Sequence, residues 1–165
     1  MNVTMTDIKK LREMTGAGLS DCKKALAESE DMDGAVAYLR KKGQAVAAKR
    51  SDREAAEGCV LVKAVDGFGA IIALKCETDF VANNADFVAL TQEILDAAVA
   101  NKCKTLDEVK ALPMGDGTVA DAVTARSGIT GEKMELDGYS YMESDNICTY
   151  IHMNRNGLCA MVALS

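Results

Sequence analysis

Long apolar runs, a basic excess, paired cysteines and clustered histidines are all missing from this sequence. No apolar stretch is long enough to span a bilayer, and Met1-Asn2-Val3-Thr4-Met5-Thr6-Asp7 lacks the basic-then-apolar order of a secretory signal. A cytoplasmic location with no membrane partner is therefore expected. The 25 acidic residues outnumber the 19 basic ones and leave a net charge of -6, without the positive footprint that phosphate neutralisation requires. Direct nucleic-acid binding is not expected, and a protein or small-molecule partner fits better. The six cysteines, Cys22, Cys59, Cys76, Cys103, Cys148 and Cys159, form no C-x-x-C pair and read as reduced, mostly buried small hydrophobes. His152 is the only histidine. It would lie about 13 Å from Cys148 along a strand rising ~3.3 Å per residue, too far to share a metal. Neither a metal nor a cofactor is expected. No histidine can be matched to Cys76, which argues against a cysteine hydrolase or an oxidoreductase.

At 165 residues and 48% hydrophobic, the chain can build one ordinary domain, or a small module plus a larger one, without covalent staples. Ile8, Leu11 and Thr15 fall at the spacing of one helix face over Asp7 to Thr15, and Gly16-Ala17-Gly18 stops that helix. No strand precedes this Gly-rich turn and no Gly-Lys-Ser/Thr follows it, so a phosphate cradle lacks its context. Ser20 can cap a second helix with Cys22, Ala25, Leu26 and Ser29 on its inner face, and Asp31 a third with the stripe Met32, Ala35, Val36 and Leu39. Gly43 would then supply a left-handed cap. These residues predict a three-helix module over 1–43, too small to be very stable alone and better suited to docking than to catalysis. Residues 44–57, rich in Ala, Lys and Arg with no apolar face, read as a solvated, partly helical linker.

From residue 58 the period changes. Gly58 to Val65 and Phe68 to Cys76 are β-rich runs joined by Asp66-Gly67, which suits a type I′ hairpin turn. Both faces are apolar, so the hairpin must be covered. A helix from Thr78 to about Ala100 is the nearest cover, with Phe87, Leu90, Ile94, Ala97 and Ala98 at helical spacing. Thr105 can cap a short helix that Pro113 ends, Thr118 can cap another from Val119 to Ser127, and Glu132 to Met142 reads as extended. Residues 58–143 thus form a first core subdomain. A second hairpin, Cys148 to Met153 and Leu158 to Leu164, begins a further subdomain over 144–165 and echoes the first hairpin. With no βαβ alternation, the class is α+β on an antiparallel sheet.

The start of the long helix is the unusual place. Thr78 can accept a free backbone N–H as an N-cap, and Asp79 has the charge sign that a helix start favours. Phe80 is followed one turn later by Asn83 and Asn84 rather than by apolar residues. Two readings stay open. Phe80 is a presented contact beside a carboxylate, or, seven positions before Phe87, it joins the core stripe.

Two stretches then carry a resemblance. Leu11-Arg12-Glu13-Met14-Thr15-Gly16-Ala17-Gly18-Leu19-Ser20-Asp21-Cys22-Lys23-Lys24-Ala25-Leu26 resembles the first signature of the elongation factor Ts family, and Thr78-Asp79-Phe80-Val81-Ala82-Asn83 resembles its second. The resemblance runs from Thr4 to Leu164. It implies a ubiquitin-associated-like three-helix module, followed by a dimerisation-type core of antiparallel sheet and helices. The implied activity is guanine nucleotide exchange on elongation factor Tu, met in its GDP-bound and nucleotide-free forms, by a translation factor that is not itself an enzyme. Thr78, Asp79, Phe80 and Val81 would form the contact that disturbs the partner's magnesium and nucleotide site, and Arg12, Leu19 and Ser20 the docking contact of the N-terminal module. A homodimer is compatible with such a core. The family's second subdomain continues into further strands and helices, and this sequence stops within it at Ser165. The competing expectation is a protein-interaction adaptor built on the three-helix unit, with no exchange activity.

Overall fold

Thr4 starts the first helix, α1 (Met5–Thr15). Its hydroxyl accepts the Asp7 N–H at 3.2 Å, and the Asp7 carboxylate accepts the Thr4 N–H at 3.2 Å, a reciprocal capping box. The helix therefore begins ahead of Asp7, the start that apolar spacing alone suggests. Gly16, at φ +72°, closes α1 by donating its N–H to the Arg12 carbonyl at 2.7 Å. The next helix, α2 (Leu19–Ala27), is not capped by Ser20. Gly18 holds the extended N-cap position and accepts the Cys22 N–H, so Ser20 falls inside the first turn. Asp31 does cap α3 (Met32–Lys49), accepting the Gly34 N–H at 2.7 Å.

Gly43 does not end α3. It is absent from the residues with positive φ, and the helix runs on to Lys49 through the first part of the 44–57 stretch. Its role is space: a Cβ there would stand 3.0 Å from the Thr124 carbonyl oxygen and 3.3 Å from the Ala125 Cα. Ile8, Leu11, Ala17, Cys22, Ala25, Leu26 and Ala35 are buried together as the core of these helices.

In the β-rich part, β1 (Glu57–Val65) and β2 (Phe68–Cys76) pair antiparallel from Val65↔Phe68 to Glu57↔Cys76. Asp66 and Gly67 both have positive φ, +50° and +78°, as the type I′ turn requires. Between β2 and the last strands come α4 (Asp79–Ala82), α5 (Ala85–Ala100), α6 (Leu106–Ala111), the two-residue strands β3 (Pro113–Met114) and β4 (Gly117–Thr118), and α7 (Val119–Thr130). Thr105 and Thr118 serve as N-caps, accepting the Glu108 and Asp121 N–H groups. The expected stop of α7 at Ser127 is overrun, because Gly128 stays helical and Gly131 takes the positive φ instead. β5 (Glu135–Glu143) pairs antiparallel with β2, with a register shift at Ala73/Leu74, so the sheet order is β1-β2-β5. Cys59, Leu61, Phe68, Ala70, Ile72, Leu74 and Cys76 of the sheet are buried with Phe87, Ile94, Leu95 and Ala98 of α5. Burying one side chain of the size of Phe87 is worth about 1.5–3 kcal/mol.

The second hairpin is β6 (Ile147–Ile151) and β7 (Cys159–Ala163), joined through a 3₁₀ turn at His152–Asn154. It returns to the first, since the Val60 N–H donates to the Asn156 carbonyl at 2.7 Å. The architecture is mixed α+β with antiparallel sheets.

The structure is a computed structural model that describes residues 2–165, so Met1 lies outside the described residues. By its contacts the chain forms two units, Met1–Asp52 with Thr124–Glu132, and Arg53–Val123 with Lys133–Ser165. Among the described residues no helix is long and apolar enough to cross a membrane. Cys22, Cys59, Cys76 and Cys103 are buried, Cys159 is half-buried and Cys148 is exposed.

Candidate functional site

The chain leaves the sheet at Cys76 and turns into α4 within two residues. Thr78 is extended, at φ -121° and ψ 153°, and its hydroxyl accepts the Val81 N–H at 3.4 Å. Behind it, the Cys76 thiol donates to the Thr78 carbonyl at 3.2 Å. Cys76 is thus buried and hydrogen-bonded inside the brace, unlike the exposed, electropositive setting of a reactive thiolate.

The helix expected from Thr78 to Ala100 is in fact two. α4 ends after a single turn, where the Asn83 side-chain amide donates back to the Asp79 carbonyl at 2.9 Å. Asn84 is extended, and its side-chain oxygen accepts the N–H groups of Asp86 at 3.0 Å and Phe87 at 3.3 Å, which starts α5 afresh. Asparagine competes with helical backbone bonding in this way, and two in succession suffice to break the helix.

The break decides between the two readings of Phe80. Phe80 is 84% exposed and Phe87 is 0% exposed, so Phe80 does not continue the core stripe. Asp79 beside it is exposed as well. Val81 and Ala82 point the other way, Ala82 buried and Val81 packed against the core of the sheet. Thr78 is half-buried as the cap. Of the four tip residues, two are presented and two hold the presentation.

Three features of the brace go beyond what was expected from the sequence. Asn84 was legible as an N-cap, with Asp86 in the first turn it starts. Asn83 had the weaker signal of its polarity. The third, a bond from the Lys133 backbone N–H to the Glu77 carboxylate at 2.7 Å, joins residues 56 positions apart and leaves no local trace.

In the other unit, Arg12 stands exposed in the last turn of α1, with Leu19, 50% exposed, and Ser20 at the start of α2. Met14, 51% exposed, adds an apolar side chain ahead of the same Gly16–Gly18 turn. Arg12, Leu19 and Ser20 were expected from the first family signature; Met14, in the same stretch, was legible only by its place off the Ile8–Leu11 face.

The family model described as Elongation factor TS matches residues 77–165, more than half of the chain, and its match begins at Glu77, next to the cap of the tip. The chain belongs to the elongation factor Ts family. It is 74% identical to the Elongation factor Ts of Bacteroides fragilis over 166 residues, an alignment covering 100% of this chain and 50% of that protein. The Elongation factor Ts of Bacteroides thetaiotaomicron is 70% identical over the same span, with the same coverage. That of Porphyromonas gingivalis is 60% identical over 154 residues, 92% of this chain and 56% of the relative. The chain spans about half the length of the curated relatives it matches.

Proposed function

We propose that this chain promotes GDP release from elongation factor Tu, with Asp79 and Phe80 as the contact that acts near the partner's magnesium and nucleotide. The observation that carries this reading is the exposure of Phe80, 84% exposed on a tip that Val81 and Ala82 fasten to the core. A large aromatic held out in solvent has a hydration cost that a partner's apolar pocket relieves, and such anchors dominate protein interfaces.

Exchange makes no bond, so the chain acts as a binding factor and not as an enzyme. Factor and nucleotide weaken each other's hold on the partner, and linkage makes that weakening reciprocal, so incoming nucleotide in turn releases the factor. Both the GDP-bound and the nucleotide-free forms of the partner are engaged in such a cycle. Mg²⁺ demands near-octahedral oxygen ligands, so a small displacement of one ligand loosens the phosphate it bridges. Phe80 is the wedge in this reading, and Asp79 accepts hydrogen bonds that fix its approach. Thr78 and Val81 set the angle of both.

Arg12, Leu19 and Ser20 form the second contact, on a module of ubiquitin-associated-like type. Two tethered contacts raise each other's effective concentration, which lets a small module contribute to affinity. The sheet and its helices form a core of dimerisation type, and sedimentation velocity reads whether it pairs with itself. The factor works in the cytoplasm, where translation elongation takes place. The adaptor reading has no observation of its own, since it uses the three-helix unit and leaves the braced tip without a purpose.

Stopped-flow release of a fluorescent GDP analogue from elongation factor Tu tests the proposal. Acceleration that saturates with added chain is the expected result. An unchanged release rate with the partner demonstrably bound would favour the adaptor.

A further inference from the structure

We infer that Glu77 is a positioning residue for the tip, its carboxylate standing in for a backbone carbonyl where the β2–β5 ladder ends. The inference rests on the exchange reading above. β2 and β5 pair in register through Leu74↔Leu136 and Lys75↔Glu135. Continued by two residues, that register sets Glu77 opposite Lys133, just beyond the ends of both strands at Cys76 and Glu135.

At this point the two chains need different things. The 133 side still has a backbone N–H to satisfy. The 77 side must already turn away so that Thr78 can open α4. A main-chain bond across the pair would hold residue 77 in the sheet. The Glu77 side chain resolves the conflict by accepting the Lys133 N–H at 2.7 Å through its own length, while the chain turns toward Thr78. A bond to an ionised acceptor is stronger than one between neutral groups.

The bond sits at a pivot. Immediately before it, Lys75 pairs with Asp137 at 2.7 Å, and immediately after it the Thr78 carbonyl receives the Cys76 thiol and the Ala82 N–H. The Glu77 side chain ties the tip's entry to Lys133, just ahead of β5. Val81 and Ala82 fix the far end of α4 to the core. With both ends held, α4 has one orientation and Phe80 one direction. With Glu77 shortened, this bond across the end of the ladder is lost. Misplacement of a contact by about 1 Å can cost two orders of magnitude in a rate.

Three variants separate reach from charge. Glu77→Ala removes the acceptor, Glu77→Asp keeps the charge but withdraws it by one methylene, and Glu77→Gln keeps an oxygen acceptor at the same reach. Hydrogen exchange on the free chain should show Glu77→Ala and Glu77→Asp raising exchange at the Lys133 amide and at 81–83, with the α5 amides unmoved. Faster exchange in α5 as well would mean general destabilisation and would overturn the proposal. In GDP-analogue release, both variants should lower the saturating rate roughly tenfold, with Glu77→Gln retaining most of it. The rate of Glu77→Ala with Phe80→Ala should match that of Phe80→Ala alone, because Glu77 acts through Phe80. A double variant that loses the product of both single effects overturns the positioning role. If the unmodified chain releases no GDP, the exchange reading fails, and exchange at the 81–83 amides still decides whether Glu77 fixes the tip.

Discussion

Phe80 and Phe87 are seven residues apart and have opposite surroundings, the first 84% exposed and the second wholly buried, because Asn83 and Asn84 end one helix and begin another between them. In an unbroken helix, residues seven apart share a face, and the pair would have been buried or exposed together. The break is what allows a tip to be presented at the edge of a well-packed core.

Phe80→Ala should leave stability nearly unchanged, within about 0.5 kcal/mol, because an exposed side chain gives up no packing. GDP release should slow by roughly tenfold or more, the loss expected of an interface anchor. Phe87→Ala is the matched control and should cost about 3–5 kcal/mol. Thermal melts beside release kinetics read both, and wild-type kinetics in a well-folded Phe80→Ala chain would remove Phe80 from the contact.

Asn84→Ala takes away the oxygen that accepts the N–H groups of Asp86 and Phe87. Loss of such a cap should cost about 1 kcal/mol in urea unfolding. Asn84→Asp, which keeps a cap, should recover most of it. A neutral Asn84→Ala would mean that packing of α5 alone fixes its start.

Gly128→Ala tests the close approach in the first unit. A Cβ at 128 would meet the Gly43 Cα at 2.5 Å, backbone that cannot rotate out of the way. Helix propensity alone predicts a gain of about 1 kcal/mol from Gly to Ala. Overpacking should reverse the sign and leave a net loss of about 1–3 kcal/mol, followed by helical ellipticity in denaturant. A stabilised variant would show that the helices separate at little cost.

Tyr139 donates its hydroxyl to the Cys103 carbonyl at 2.6 Å, and burial, with smaller contributions from Cys103 and Glu108, pushes its ionisation up from 10.0 to about 12. The folded state holds the phenol neutral, so its contribution to stability is complete below the ordinary value. It is lost as the pH rises from 10.0 toward about 12, where the unfolded chain releases the proton first. Tyrosinate absorbance on alkaline titration should contain one late component that Tyr139→Phe removes. An unchanged titration in that variant would place the late proton elsewhere.

Much of the fold was legible because its signals are local. Asp66-Gly67 specifies a type I′ turn by needing only two residues at positive φ, and Asp31, Thr78, Thr105 and Thr118 act as caps on N–H groups three positions ahead. The errors arose where a local rule met a distant neighbour. Gly43 had the signature of a helix end, yet it lies inside a helix, and it is glycine because the Thr124 carbonyl and Ala125 leave no room for a Cβ. Ser20 suited a cap, but Gly18 was already extended two residues earlier and started the turn first.

For the site itself, sequence alone determined the residues of the tip, its capped start at Thr78 and, through two family signatures, the family to which the chain belongs. Only the tertiary structure decided that Phe80 is presented and Val81 anchored, and that Glu77 is tied to Lys133 across 56 positions. The physical reason lies in the range of the forces. Capping and turn chemistry act over about four residues and are written in order along the chain. Burial and cross-sheet bonding depend on what folding brings alongside, and no window on the sequence contains both partners.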